Sequence, residues 1–197
     1  MCTSVQRLLV HEEIAEGVTD RLGRLPGALR HGDGREAGVE VGPLITEDGA
    51  RRAGMLLADA IDRGAAVVTG GEVKSTLVAP TLVTGLAPGA RLAREEAFAP
   101  VVAISTVGSA QEAADRANQT THGLQAGVFT QDLDLAFWFA RQLRMGGVIV
   151  NDTSSYHPDS MPYGGVKDSG QGLAGPRYAV SDMIDTRTAV VRLRPDP

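Results

Sequence analysis

Cys2 is the only cysteine among the 197 residues. Sulfur is a strong nucleophile and a good leaving group. A lone thiol set between the polar Thr3-Ser4 and the apolar Leu8-Leu9-Val10 can therefore serve as a nucleophile held at a strand edge. The same spacing also fits a buried or terminal cysteine without chemistry. A free thiol ionises near pH 8.5, so the nucleophile reading needs neighbours that favour the thiolate. Two other stretches carry groups that could share a site with it. One is the acidic pair Glu95-Glu96, followed by Ala97-Phe98-Ala99-Pro100. The other is the glycine-rich stretch over 151–175, which has no clear periodicity. A long irregular segment inside a compact domain is usually functional or disordered. An acidic pair before a strand can equally be a solvated face.

Other chemistries are excluded by the residues present. His11-Glu12-Glu13 lacks a second histidine four residues on, so no zincin helix is expected. Four scattered histidines and one cysteine give no metal cluster, and no metal is expected. Gly165 and Gly170 have the spacing of a phosphate loop but not the Lys-Ser/Thr that must follow it. The net charge is −5, and no basic cluster exceeds a pair, so nucleic acid is not an expected partner. No apolar run reaches membrane-spanning length and no basic-then-apolar leader is visible, so neither a membrane nor secretion is expected. One cysteine fits a reducing cytoplasm.

The elements that must position these groups alternate. Leu8–Val10 reads as a short buried strand. Glu12 to Leu25 reads as an amphipathic helix with Ile14, Val18, Leu22 and Leu25 on one face, stopped by Pro26-Gly27. Residues 30–42 are a glycine-rich loop. Thr46 is a candidate N-cap for a helix expected over Arg51 to Arg63, and Ala65–Val68 reads as a buried strand. Leu77–Ala79 and Thr81–Val83 read as irregular or edge strands because Pro80 would interrupt a central ladder. Val101–Ile104 is a central strand. A helix capped by Ser109 turns Ala110, Ala113, Ala114 and Ala117 inward. Gln125–Thr130 is a strand. A helix capped by Asp132 buries Leu133, Ala136, Phe137, Ala140 and Leu143, and the run Phe137-Trp138-Phe139 reads as helix packing. Val148–Val150 is a strand, Pro176–Asp185 a short helix and Thr188–Leu193 a terminal strand. Repeated strand–helix units imply an α/β fold, a mostly parallel sheet with helices on both faces. The expected division is a body over 1–185 and a tail over 186–197.

The motifs resemble those of the NAD(P)-dependent aldehyde dehydrogenase superfamily. Cys2, Arg7 and Leu9-Val10-His11 resemble its catalytic-cysteine segment. Val41-Gly42-Pro43-Leu44-Ile45, Glu95-Glu96-Ala97-Phe98-Ala99-Pro100 and Pro162-Tyr163-Gly164-Gly165-Val166-Lys167-Asp168-Ser169-Gly170 resemble three further family motifs, in the family's order. The resemblance covers the family's C-terminal, catalytic-cysteine half. It implies that 1–185 is the cysteine domain and that Thr188–Leu193 is the last strand of an oligomerisation sheet.

The resemblance also implies an activity, oxidation of a small aldehyde to the acid with NAD or NADP through a thiohemiacetal and thioester on Cys2. Glu96 would bind the nicotinamide ribose and Phe98 would pack beside the nicotinamide ring. Asn151 and Tyr163 would shape the aldehyde pocket. The polar run Asn151–His157 resembles the subgroup acting on small anionic or hydroxylated aldehydes. The family's general base and much of its cofactor fold correspond to positions upstream of residue 1. The chain alone is therefore expected to be incompetent. Its expected partners are copies of itself or a complementary cofactor-domain chain. The alternative is a non-catalytic oligomerisation remnant or one half of a split enzyme. The motif departs from the family where Ala99 stands for glycine and Tyr163 for phenylalanine.

Overall fold

A computed structural model describes residues 2–193. The strand β1 (Arg7–His11) leads directly into helix α1 (Glu12–Arg24), with His11 accepting from the Glu13 amide at the cap. After the loop that carries residues 30–42 comes α2 (Glu47–Asp62), then β2 (Ala66–Thr69), β3 (Val73–Lys74), β4 (Leu77–Val78) and β5 (Thr81–Thr84). β6 (Val101–Val107), α3 (Ala110–Asn118), β7 (His122–Gly123) and β8 (Gln125–Val128) follow. The chain continues through α4 (Leu133–Gln142), β9 (Gly147–Val150), β10 (Val166–Lys167) and α5 (Pro176–Asp182).

The main sheet runs β1-β6-β5-β2, parallel at β1/β6 and β5/β6 and antiparallel at β5/β2. β8 and β9 form a separate parallel pair, and β3/β4 and β7/β10 are short antiparallel ladders. Alternation along the strands sends side chains to opposite faces. Val101 and Ala103 of β6 and Val83 of β5 meet Ala53, Leu56, Leu57 and Ala60 of α2. Val102 and Ile104, with Leu82 and Val10, meet Ala15, Val18 and Leu22 of α1. A third cluster joins Ala114 of α3, Val128 of β8 and Leu143 to Trp138 and Phe139 of α4. The fold is thus α/β with helices on both faces of a mixed, mostly parallel sheet. Among the described residues no helix is long and apolar enough to cross a membrane.

Several sequence expectations are corrected. Thr81–Val83 is not an edge strand: β5 lies between β6 and β2 and is buried through Val83. Pro80 does no harm because it precedes the ladder, whose first amide, Thr81, bonds the Pro100 carbonyl at 2.8 Å. Ala65–Val68 is not a buried strand. Ala65 is buried ahead of the strand, and Ala66 to Val68 belong to the antiparallel edge strand β2, where Val67 and Val68 are exposed. Helix α2 starts four residues before Arg51, since Thr46 Oγ1 accepts the Gly49 amide at 3.1 Å. The inward face of α4 is rotated: Leu133 and Phe137 are exposed, while Trp138 and Phe139 pack edge to face at 5.0 Å between ring centres. Ile14 and Leu25 likewise point outward from α1. The β8 strand stops at Val128 and α5 at Asp182. Thr188–Leu193 joins no ladder, and Val190, Val191 and Leu193 stand in solvent. A terminal strand needs a partner edge, and among the described residues none pairs with it. The end of the expected tail, 194–197, lies outside the described residues.

The N-cap of α2 gives a first prediction. Thr46→Ala leaves the Gly49 amide without its side-chain acceptor at the start of a helix whose inner face is fully buried. The expected loss is about 1 kcal/mol, read as a lowered denaturant midpoint at constant slope.

Candidate active site

The position of Cys2 follows from the pairing of β1. Arg7 to His11 run parallel to Ala103 to Val107, and the Ala103 amide bonds the Gln6 carbonyl at 2.9 Å, which fixes the turn just ahead of the strand. Arg7 is half-buried and anchors the strand by its guanidinium. It donates to the carbonyls of Ala93, Arg116 and Ala117, each at 3.2 Å. Thr3 is buried, and its carbonyl accepts from Ser154 Oγ at 3.2 Å and Ser155 Oγ at 3.1 Å. Cys2 itself is exposed, and its Sγ lies 2.8 Å from the Tyr163 hydroxyl.

Tyr163 is held on three sides. Its backbone forms a two-bond bridge with Ala174, at 3.1 and 2.6 Å, and its ring meets His157 edge to face at 4.7 Å. Burial, then the hydrogen bond to Cys2 and the negative charge of an ionised thiol, push its phenol up to about 12.

Glu96 and Phe98 belong to the segment that crosses in front of β6. The Ala97 amide donates to Gln6 Oε1 at 2.8 Å, which ties this segment to the Cys2 turn. The Glu96 carbonyl accepts from Arg52, and its carboxylate lies 3.5 Å from His122 Nε2. Glu95 has a structural role instead: it pairs with Arg91 at 2.7 Å and Arg52 at 3.0 Å, and these cations hold its carboxyl below the usual range. Phe98 takes the left-handed backbone region, φ +49°, and its side chain is 60 % exposed. A non-glycine residue in that region is costly, and such strain concentrates where a side chain is aimed for function.

The far end of the glycine-rich loop closes the arrangement. Lys167 Nζ donates to the carbonyls of Asn118, Thr120 and His122 at 3.1, 3.0 and 3.4 Å. Burial and the nearby charges of Arg144 and Arg7 lower its pKa. Ser169 Oγ accepts the Gly123 amide at 2.8 Å. The contacts therefore run in a closed circuit: Cys2 to Tyr163, along the loop to Lys167 and His122, across to Glu96, and back through Ala97 and Gln6.

Of the residues named from the sequence, Cys2 and Tyr163 touch directly, Glu96 joins them through that circuit, and Phe98 follows Ala97 with its ring exposed. Asn151 does not enter the circuit. It sits at φ +59°, its amide bonds the Val128 carbonyl at 2.7 Å, and its Oδ1 accepts the Thr130 amide at 2.9 Å. Its neighbours Ser154 and Ser155 make the contact to the turn that carries Cys2 instead. Gln6, His122 and Arg52 were not singled out from sequence. Gln6 alone carried a signal, being in the same seven-residue stretch as Cys2.

The site lies on an open surface. A hollow of about 600 Å³ lies on α4 against Asp132, Phe137, Trp138 and Arg141, and a small one of about 20 Å³ lies beside Arg7 and Leu9. Neither is lined by Cys2, Glu96, Phe98 or Tyr163. Among the described residues no group of three His, Cys, Asp or Glu side chains is placed to hold a metal.

Known proteins resemble this chain in sequence and in fold. The aldehyde dehydrogenase family profile matches residues 1–189. The 3-sulfolactaldehyde dehydrogenase of Priestia aryabhattai is 37% identical over 193 residues, covering 98% of this chain and 40% of the relative. The lactaldehyde dehydrogenase of Methanococcus vannielii is 36% identical over 191 residues, covering 97% of this chain and 41% of the relative. Among solved structures, aldehyde dehydrogenase 21 from Physcomitrella patens, in complex with the reaction product succinate, superposes with a TM-score of 0.92 at 36% identity. It covers 98% of this chain and 40% of its own. The glyceraldehyde-3-phosphate dehydrogenase GapN from Methanocaldococcus jannaschii, complexed with NADP, gives 0.88 at 36% identity over 93% of this chain and 40% of its own. The chain spans about two fifths of the length of the curated relatives it matches. With the profile covering nearly every residue, the chain belongs to the aldehyde dehydrogenase family.

Proposed function

We propose that this chain carries the nucleophile of an enzyme that oxidises a small aldehyde to the carboxylic acid with NAD or NADP. The observation that supports this most is the 2.8 Å approach of the lone thiol to the glycine-rich loop, in a circuit that also holds Glu96. The Cys2 thiolate attacks the carbonyl carbon: a C–S bond forms and the π pair moves to oxygen, giving a thiohemiacetal. Loss of hydride from that carbon leaves a thioester, and water releases the acid and frees the sulfur. The nicotinamide cofactor, when bound, accepts the hydride.

The residues present fit such a cofactor. Glu96 has a part-exposed carboxylate that can accept from two ribose hydroxyls once His122 yields. Phe98 offers an exposed ring, held out by a strained backbone, for the nicotinamide. The polar run 151–157 and the names of the relatives support a small hydroxylated or anionic aldehyde of the lactaldehyde type. A single free thiol fits work in the cytoplasm.

The test is to combine the chain with a polypeptide that supplies the family's cofactor-binding part and to quench with acid during turnover. Mass spectrometry is expected to find the acyl group on the Cys2 peptide. Activity that survives Cys2→Ser would overturn the reading.

A second reading is association, favoured by the exposed Met183, Ile184, Val190, Val191 and Leu193. It pairs this chain with copies of itself or with a complementary cofactor-domain chain. Sedimentation at several concentrations checks it: a concentration-independent monomer that a cofactor-domain chain leaves unchanged would remove it.

A further inference from the structure

We propose that the Tyr163 hydroxyl donates a hydrogen bond to the Cys2 sulfur and favours the thiolate, making Tyr163 a part of the nucleophile and not only a wall of the pocket. This inference rests on the reading of Cys2 as the nucleophile and assigns the group that assists it.

The direction of the bond follows from elementary acid–base order. A thiol ionises about 1.5 pH units below a phenol, so as pH rises the sulfur loses its proton first. A thiolate can only accept, and the phenol then has to donate. The geometry is compatible with that role, with Sγ and the hydroxyl oxygen 2.8 Å apart. A phenol pushed up to about 12 is what a donor to an anion shows, since burial and the neighbouring charge both disfavour its own ionisation. No bond changes at tyrosine: Cys2 gives its proton to water and Tyr163 keeps its own.

Both partners are fixed independently of each other. The two-bond bridge to Ala174 and the edge of His157 hold Tyr163, while the hydroxyls of Ser154 and Ser155 hold the carbonyl of the residue after Cys2. Preorganised donors of this kind act on an anion without reorganising when it forms. Among the described residues, the titratable groups recorded against Tyr163 are Cys2 at its hydroxyl and His157 at its ring.

The experiment is the pH dependence of iodoacetamide alkylation of the purified chain, whose single cysteine leaves no background. Tyr163→Phe removes the hydroxyl but keeps the ring against His157, so that imidazole acts equally in both arms. Tyr163→Phe is expected to move the alkylation midpoint to higher pH and slow the reaction near neutrality by roughly three- to tenfold. Superimposable profiles would overturn the proposal.

The reciprocal measurement is the ultraviolet titration of tyrosinate in Cys2→Ala. The Tyr163 midpoint is expected to fall from about 12 toward the ordinary phenol range. An unmoved midpoint overturns the proposal even if Tyr163→Phe folds poorly. Alkylation needs neither cofactor nor aldehyde. A shifted profile without aldehyde oxidation by the chain combined with the family's cofactor-binding part would keep this inference and sink the dehydrogenase reading, and oxidation by that combination with unshifted profiles would do the reverse.

Discussion

Arg7→Ala is expected to lower the stability of the chain by about 3 kcal/mol, because the Ala93 and Ala117 carbonyls lose their donor and the Arg116 carbonyl loses one of two. Two of the three, on Arg116 and Ala117, lie in the last turn of α3, where the Arg116 carbonyl also accepts the Gln119 amide at 3.4 Å and the Ala117 carbonyl looks to Arg7. The negative end of the helix dipole adds a field that suits a cation there. The third, on Ala93, belongs to the segment that leads into Glu95 and Glu96. One guanidinium therefore ties the start of β1 to both a helix end and the segment that carries Glu96. Burial lowers its pKa, but a guanidinium remains charged through any working range. Lysine is not expected to rescue, since an ammonium on a single stem cannot reproduce the planar fork that reaches three acceptors. Urea unfolding is the measurement. A midpoint unchanged in Arg7→Ala, or restored in Arg7→Lys, would show that the carbonyls are satisfied another way.

Arg7 also shows what could be read from the chain alone. Its place five residues after Cys2 was legible as part of a motif, but its partners were not, because they come from positions 93, 116 and 117. The same holds for the site as a whole. Cys2, Glu96, Phe98 and Tyr163 stood out because each lies in a short local pattern. His122 did not, because its meeting with Glu96 depends on the ladder between β7 and β10. Asn151 was legible as the residue after a strand, yet its side chain is taken by the Thr130 amide, a contact that only the β8/β9 pairing creates.

Among the elements, the caps at Thr46, Ser109 and Asp132 all fall where the side-chain chemistry placed them. Failures concentrate where burial depends on neighbours. β2 has an apolar sequence but lies at a sheet edge, and β5 follows a proline but lies inside. The apolar residues of 188–193 describe a strand that needs an edge to join.

Gly146→Ala is expected to cost at least about 3 kcal/mol, at the top of the usual range for overpacking, and to disconnect Cys2 from Tyr163. A Cβ built on Gly146 would fall 1.7 Å from the Gly164 carbonyl oxygen, 2.8 Å from the Gly164 carbonyl carbon and 3.1 Å from the Leu124 carbonyl oxygen. All three obstacles are backbone, so no side chain can swing aside. Gly146 has no left-handed requirement; the reason for glycine is closeness alone. Its amide also bonds the Gly123 carbonyl at 3.0 Å, so it cannot retreat without breaking that contact. The loop must move instead, and Gly164 directly follows Tyr163. Its displacement therefore pulls the hydroxyl away from Cys2.

The contrast is Gly17→Ala on the exposed face of α1, where a Cβ meets nothing within 4 Å and helix propensity predicts a gain of about 0.5 to 1 kcal/mol. Thermal unfolding of the two variants should move in opposite directions. Iodoacetamide alkylation should change in Gly146→Ala as it does in Tyr163→Phe, and remain that of the parent chain in Gly17→Ala. A Gly146→Ala chain with parental melting and parental alkylation would mean that the glycine-rich loop does not lie against the β8–β9 pair, and the circuit linking Cys2 to Glu96 would then be open at that point.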